Sequence, residues 1–378
     1  MPTATATPLR LLVVLPSWLG DVVMATPALR LLRDRLRGSF IAGLVRPEMS
    51  AVLAGTDLLD ELHADRKGGV MGPKHVAARL RPRRYDSALL LTNSFSSALA
   101  VRVAGIPRRI GYDRDARGLL LTHPIRAPER DGSTLLRRRW APVPAVRYYL
   151  DAACELLRCA GFDPPAMPDD PAALPAGIVI ELATTPDEER AADALLERAA
   201  LAPSAPFALL NPGGNDRAKR WPADRFACLA EHLARAHDLA VLVNGSPSER
   251  DLAAEVCRGA GFRTASLPEL GVGIGSLKAI VRRARLMVTN DTGPRHLAAA
   301  FGTPLVSLFG PTDHRWTTIP TRPLPNGEPS EAIILADPAL PAGELANDHP
   351  DRCRIDRIGF ETVRDAADRL LAHNERRP

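Results

Sequence analysis

Lysine is nearly absent from this sequence. Of 49 basic residues only four are lysine, at 67, 74, 219 and 278, and the rest are arginine. Alanine and proline are abundant as well, a bias that reads as GC-rich codon usage and not as a function. The net charge is small, 49 − 44 = +5. Arginine is spread along the chain, with small clusters at 79–84, 108–109 and 137–139. A nucleic-acid binder more often gathers its charge on one face or tail, so nucleic acid is not an expected partner. The clusters read either as solvated surface or as a patch for an acidic substrate or an anionic membrane surface. Cysteine is also scarce. The five, at 154, 159, 228, 257 and 353, fall in no Cys-x-x-Cys or Cys/His spacing. That argues against a zinc motif and a disulfide framework, and leaves small, mostly buried apolar residues in a reducing compartment. Long hydrophobic runs are missing. No stretch reaches the roughly eighteen apolar residues of a membrane span. The apolar run behind the short polar N-terminus, at 11–16, is too short for a signal-peptide core. A cytoplasmic location, with at most peripheral membrane contact, is the expectation.

The remaining composition, 46% hydrophobic and 25% charged, is ordinarily globular, and 378 residues suit two domains and a crossing segment. Short continuous apolar runs at 9–16, 39–45 and 85–93 read as buried parallel strands, with RRIGY (108–112) as an edge strand. A helix over 147–161 ends at Gly161, which suits a left-handed C-cap. Residues 162–177 are rich in Pro, Asp and Ala and read as a linker. After a helix behind Pro186, a second alternation begins. Strands are expected at 207–214, 239–246, 285–291 and 303–311, helices at 224–237, 275–284 and 294–302, and a last amphipathic helix over 362–374. The stretch 322–350 reads as an irregular loop. Alternating strands and helices predict an α/β protein with two doubly wound, Rossmann-like domains facing a cleft. Ligands then sit on the strand-to-helix loops.

Four such loops carry chemistry. In the first, Gly20 and Asp21 follow the opening strand. Asp21 is read three ways: as a helix cap, as a charge suited to the helix dipole, or as a general base. Trp18, just before the pair, lines a pocket or packs on a neighbouring element. Pro27 marks either a kink or a restart of the helix with Thr26 as cap. In the second loop, NPGG (211–214) offers backbone N–H groups to an anion. Lys219 stands there in a chain that uses arginine nearly everywhere; a compact ammonium beside a phosphate is one reason for it. In the third, Glu249 is either a first-turn charge behind a Ser246 or Ser248 cap, or a ribose-binding carboxylate. In the fourth, Asp291, Thr292 and Gly293 precede Pro294, Arg295 and His296 in a first helical turn, a ready anion site. No Walker loop, GxGxxG or GxSxG motif is present, which speaks against kinase, dehydrogenase and hydrolase chemistry. No Asp-x-Asp pair ends a strand, so no metal ligand is expected.

Taken in order, PSWLGDVVMATPALRLL (16–32), NPGG with AKRWP (211–222), VNGSPSERD (243–251) and NDTGPRHLAAAFGTPLVSLFGPT (290–312) resemble glycosyltransferase family 9, the ADP-heptose:lipopolysaccharide heptosyltransferases. The spelling PSWLGD is closer to the heptosyltransferase II branch, and CRIDRIGFETVRDAADRLL (353–371) is similar to the family's ending. The resemblance implies a GT-B fold. Residues 1–170 would bind the acceptor and 171–355 the nucleotide sugar, while 356–378 would carry the last helix back to the N-terminal domain. It implies an inverting, metal-independent transfer of heptose from ADP-heptose to an acidic, lipid-linked inner-core acceptor, by a monomer with no cofactor beyond its co-substrate. Asp21 would be the base. Lys219 would neutralise the diphosphate, Glu249 would hold the ribose, and Asp291, Thr292, Gly293 and His296 would form the phosphate-facing turn. Trp18, Gly20 and Arg147 are acceptor-side candidates. Two features depart from the family: AVRYYLD (145–151) lacks the histidine of its Arg-x-x-His stretch, and the cysteine-rich tail retains only Cys353. Three other readings remain: another nucleotide sugar or surface-glycan acceptor, a nucleotide-sugar epimerase, or a non-catalytic nucleotide-binding protein.

Overall fold

The computed structural model describes residues 8–65, 71–131, 133, 138–202, 204–261 and 263–374. Lys67 and Arg137 lie outside them. The chain divides into two units. One runs to Ile180 and includes Arg315–Thr318; the other holds Glu181–His314 and the chain from Ile319. The division thus falls ten residues beyond the expected boundary at 170.

The first unit is built on β1 (Arg10–Val14), α1 (Leu19–Met24), α2 (Thr26–Arg35), β2 (Phe40–Val45), β3 (Glu61–Ala64), α3 (Gly72–Leu80), β4 (Ser87–Leu90), α4 (Phe95–Val103), β5 (Arg108–Tyr112), β6 (His123–Ile125) and α5 (Ala145–Cys159). β1 is RLLVV, buried after its first residue, as a strand covered on both faces must be. Its six strands pair in parallel in the order β3-β2-β1-β4-β5-β6. β5 is therefore interior and not an edge, because the short β6 pairs with it. The first helix breaks at Ala25 and restarts with Pro27 in the first turn of α2, as one of the two sequence readings held. Thr26 does not cap it; its hydroxyl donates back to the Val23 carbonyl at 2.8 Å.

The second unit follows with α6 (Pro186–Arg198), β7 (Phe207–Asn211), α7 (Ala223–Ala236), β8 (Ala240–Val243), α8 (Arg250–Ala260), β9 (Thr264–Ser266), α9 (Ile274–Arg283), β10 (Leu286–Asn290), α10 (Gly293–Phe301), β11 (Leu305–Phe309), β12 (Glu331–Leu335) and α11 (Phe360–Asn374). The sheet order is β12-β11-β10-β7-β8-β9, the same winding as in the first unit. Gly302 ends α10 with φ +69°, the left-handed conformation that glycine adopts without a Cβ penalty. Within the stretch expected to be irregular, Glu331–Leu335 extends the sheet beside β11.

The last helix departs from the expectation that it returns to the N-terminal domain. α11 packs on β10, β11, β12 and α7 of its own unit. Its stripe of Val363, Ala366, Ala367, Leu370 and Leu371 is buried in that unit's core, at the i, i+3, i+4, i+7, i+8 spacing of one helical face. The approach to it is pinned as well. The buried Trp221 indole donates to the Ile358 carbonyl at 2.9 Å, and Arg225 donates to the carbonyls of Asp356 and Ile358 at 2.7 and 2.6 Å. An amphipathic stripe announces burial but not the partner.

The five cysteines are free. Cys154 and Cys353 are buried, Cys159 and Cys257 half-buried, and Cys228 exposed, so fewer are interior than expected. Among the described residues no helix is long and apolar enough to cross a membrane.

Candidate functional site

In each doubly wound unit the winding direction reverses between the first and fourth strands, and the loops at that switch point are where ligands bind. In the first unit these loops follow β1 and β4; in the second they follow β7 and β10.

The β1 loop delivers Asp21. Trp18, and not Asp21, is the cap residue of α1, which leaves Asp21 in the first turn. The Tyr149 hydroxyl on α5 donates to Asp21 Oδ1 at 3.0 Å. Burial, reinforced by the neighbouring Asp21 carboxylate, pushes the Tyr149 phenol well above its usual range. It therefore stays protonated and remains a donor. Asp21 lines a cavity of about 240 Å³ with Asn93, Arg114, Trp140, Tyr148, Tyr149 and Trp316 among its walls. Tyr148 stacks on Tyr112 with centroids 3.6 Å apart, and Arg114 lies 4.2 Å over the Trp140 ring. Aromatic faces of this kind suit the C–H faces of a sugar, and a nearby guanidinium suits an anionic group.

The β4 loop delivers Asn93. Its Oδ1 accepts from Tyr148 Oη at 3.1 Å and from Arg117 Nη2 at 3.2 Å. Two donors on one oxygen fix the amide's orientation. Arg117 is fully buried, and burial brings its pKa down to about 10, so it remains charged at neutral pH.

Of the three acceptor-side candidates, Gly20 is buried beside Asp21 in α1, while Trp18 is 60% exposed and absent from the cavity wall. Arg147 is not on that wall either. It pairs with Asp151 at 2.8 Å and donates to the carbonyls of Pro168, Asp170 and Ala173 at 2.9–3.0 Å. Its guanidinium clamps the Pro-rich linker to α5, because three carbonyls of an irregular segment need donors. Arg147→Met is therefore expected to cost about 3 kcal/mol of stability, the scale of breaking a buried ion pair, and to leave acceptor KM unchanged. Denaturant unfolding and steady-state kinetics check the two halves.

In the second unit, a buried amide cluster shapes the loops. Asn290, at the end of β10, donates to the carbonyls of Pro212 and Gly213 at 2.8 and 3.1 Å and accepts from Trp221 N at 3.2 Å. Asn211 donates to the Thr292 hydroxyl at 2.8 Å and accepts from Asn244 at 2.7 Å. Thr292 is the cap residue of α10, but its hydroxyl serves this cluster and not the helix. Gly293 opens the helix behind it.

Glu249 closes the glycine turn from the side. It accepts from Gly214 N at 2.6 Å and from Ser246 N and Oγ, both at 2.8 Å. A Cβ on Gly213 would meet its carboxylate at 2.6 Å. Burial alone would raise the Glu249 carboxyl, but these donors and the Arg220 charge outweigh it and hold it below its ordinary value. A depressed carboxyl stabilises the fold above its unfolded pKa and loses that contribution as pH falls through the folded one. Glu249→Gln should thus lower the thermal midpoint at pH 7. The gap to the parent should narrow as pH falls below the ordinary carboxylate range, in unfolding scans across pH.

Lys219 Nζ lies 3.5 Å from Asp291 Oδ2, so the two expected diphosphate ligands form a pair. Arg295, which sequence reading placed in an anion turn, is buried against Glu331 at 2.7 Å and over Phe309 at 4.9 Å. It holds β12 to the sheet. His296 is also buried, and burial with the adjacent Arg295 charge brings it well below the usual histidine range. It is a neutral ring and supplies no charge to an anion.

Two doubly wound units, each with its switch-point loops dressed for polar ligands, define a GT-B type transferase. The glycosyltransferase family 9 (heptosyltransferase) model matches residues 74–151 and 171–337; the chain belongs to that family and is a glycosyltransferase. Lipopolysaccharide heptosyltransferase 2 of Salmonella typhimurium is 27% identical, over 82% of this chain and 85% of that protein. The Escherichia coli protein of the same name is 28% identical over the same shares. Among solved structures, E. coli ADP-heptose LPS heptosyltransferase II superposes with TM-score 0.74, at 24% identity over 97% of this chain and all of that one. A family 9 glycosyl transferase from Veillonella parvula gives TM-score 0.74 at 20% identity, covering 97% and 98%.

Proposed function

We propose that this protein transfers heptose from ADP-heptose to an inner-core lipopolysaccharide acceptor, in one inverting displacement that needs no metal. The observation that carries the reading is the Asp21 carboxylate, fixed by Tyr149 in the wall of a cavity lined by aromatic rings and Arg114. The acceptor hydroxyl gives its proton to Asp21 as its oxygen bonds to the anomeric carbon. The bond from that carbon to the diphosphate oxygen breaks, and ADP leaves with the electron pair. Lys219 neutralises the charge that develops on the diphosphate, and Asp291 holds Lys219 in place. Thr292 and the start of α10 offer backbone donors to the same phosphates. His296 packs beneath them as a neutral ring. Glu249 has a structural hold on the glycine turn and takes the ribose hydroxyls on its outer side.

Arg114 supports an acceptor that carries anionic groups. Exposed Trp18 and Phe95, at the starts of the helices that follow the neighbouring strands β1 and β4, support contact between this rim and the acceptor's lipid anchor. A monomer at the inner face of the cytoplasmic membrane completes the reading, with no cofactor besides the nucleotide sugar.

The test is incubation with ADP-heptose and deacylated inner-core acceptor, with ADP release followed in the presence and absence of EDTA. ADP is expected to appear at the same rate in both. No turnover with ADP-heptose, but turnover with another nucleotide sugar, would move the protein to another donor. Loss of activity in EDTA, restored by Mg²⁺, would overturn the Lys219 account.

A further inference from the structure

Away from the switch-point loops, three side chains converge where the last helix meets α7. His232 Nε2 and His237 Nε2 lie 2.8 and 2.7 Å from the same carboxylate oxygen, Oδ1 of Asp368. The two rings stand 5.8 Å apart at 74°, and one ligand atom from each of the three residues falls within 4.8 Å of the others. His232 is on α7, His237 ends it, and Asp368 is on α11. We infer that His232, His237 and Asp368 form a binding site for a divalent transition metal that staples α11 to α7.

Two imidazole nitrogens and one carboxylate oxygen are a set that takes Zn²⁺, Co²⁺ or Ni²⁺ in preference to Mg²⁺ or Ca²⁺, which favour oxygen alone. Three protein ligands leave a tetrahedral ion one position for water. Each of the three side chains keeps part of its surface exposed, at 24%, 20% and 37%, so an ion can enter without unfolding the core. Without a metal, one oxygen accepts from both rings, each carrying its proton on Nε2. With a metal, those protons move to Nδ1, and both Nε2 lone pairs turn to the ion. His237 makes this possible because it follows the last turn of α7 with φ −118° and swings toward α11 instead of continuing the helical face. Arg364, one turn before Asp368 on α11, is taken up by Asp365 at 2.8 Å.

The site stands apart from the transfer reaction. α7 is 14 residues long, and its histidine end is about 20 Å along the helix from the Lys219 loop, at 1.5 Å per residue. The role is therefore structural: the metal would fix the segment that packs over β10 and β11.

The experiment uses the untagged full chain carrying Cys228→Ser, since Cys228 is exposed and one turn from His232 on the same helix. Zn²⁺ is titrated in competition with a chromophoric chelator, and Co²⁺ is added separately for its visible spectrum. One saturable equivalent per chain is expected, with a tetrahedral Co²⁺ band and a higher thermal midpoint. His232→Gln, His237→Gln and Asp368→Asn should each weaken binding by about tenfold or more. Circular dichroism confirms that each variant is folded, and any one folded variant decides the matter. Absence of one-to-one binding by the parent, or unchanged binding in a folded variant, would overturn the site.

Discussion

Asp21→Asn is expected to lower turnover by about 10²–10⁴-fold, the range removed with a general base. The substitution keeps the size of the side chain and an oxygen for the Tyr149 hydroxyl, which lies 3.0 Å from Oδ1 in the parent. The cavity walls formed by Trp140, Tyr148 and Trp316 should therefore stay in place, and acceptor KM should change little. Only the capacity to take a proton is lost. Tyr149→Phe tests the support of the base instead of the base itself. One hydrogen bond to a charged group is removed, so a loss of about tenfold is expected. Single-turnover rates with saturating donor separate these effects from product release. Equal losses in both variants would mean that Asp21 acts only through the packing it shares with Tyr149.

Lys219→Met is expected to lower turnover by about 10²–10³-fold, the scale of removing one preorganised donor from a developing charge. Here the loss should extend to nucleotide affinity, because the ammonium meets the diphosphate before and after transfer. The change also removes the ammonium 3.5 Å from Asp291, whose side chain is 7% exposed, so some stability goes with it. Lys219→Arg retains the charge but spreads it over a planar group that cannot sit as a point beside the phosphates. It should recover only part of the activity. Unfolding midpoints recorded with the kinetics separate the charge effect from the stability effect.

The sequence made the strands and their loops legible because a buried parallel strand is a continuous apolar run, and its functional loop breaks that run with Gly, Pro or Asp. LRLLVV before Gly20-Asp21 and FALLN before Pro212-Gly213 announce themselves in this way. Tyr149 does not: it is 128 residues from Asp21, and a tyrosine on an amphipathic helix looks like core. Asn93, Asn211, Asn244 and Asn290 were missed for a related reason. Each follows or ends a strand, where asparagine reads as a turn residue. The partners of Asn93 lie on distant elements, Arg117 and Tyr148, and Asn290 reaches the Pro212–Gly213 carbonyls only because β10 pairs with β7. Arg147 and Arg295 show the opposite error. The family resemblance suggested acceptor binding for Arg147, and a place in the anion turn suggested ligand binding for Arg295, whereas both are engaged by the chain itself, through linker carbonyls in one case and Glu331 in the other. β12 was invisible because Pro-rich flanks hid a five-residue strand.

Division of labour is the heart of this account: acid–base chemistry on one unit, diphosphate binding on the other. Calorimetric titration of ADP into the Asp21→Asn and Lys219→Met proteins tests it most directly. Asp21→Asn should bind ADP as the parent does, and Lys219→Met should bind it at least tenfold more weakly, about 1.4 kcal/mol. A collapse of ADP affinity in Asp21→Asn, or parental affinity in Lys219→Met, would contradict the assignment.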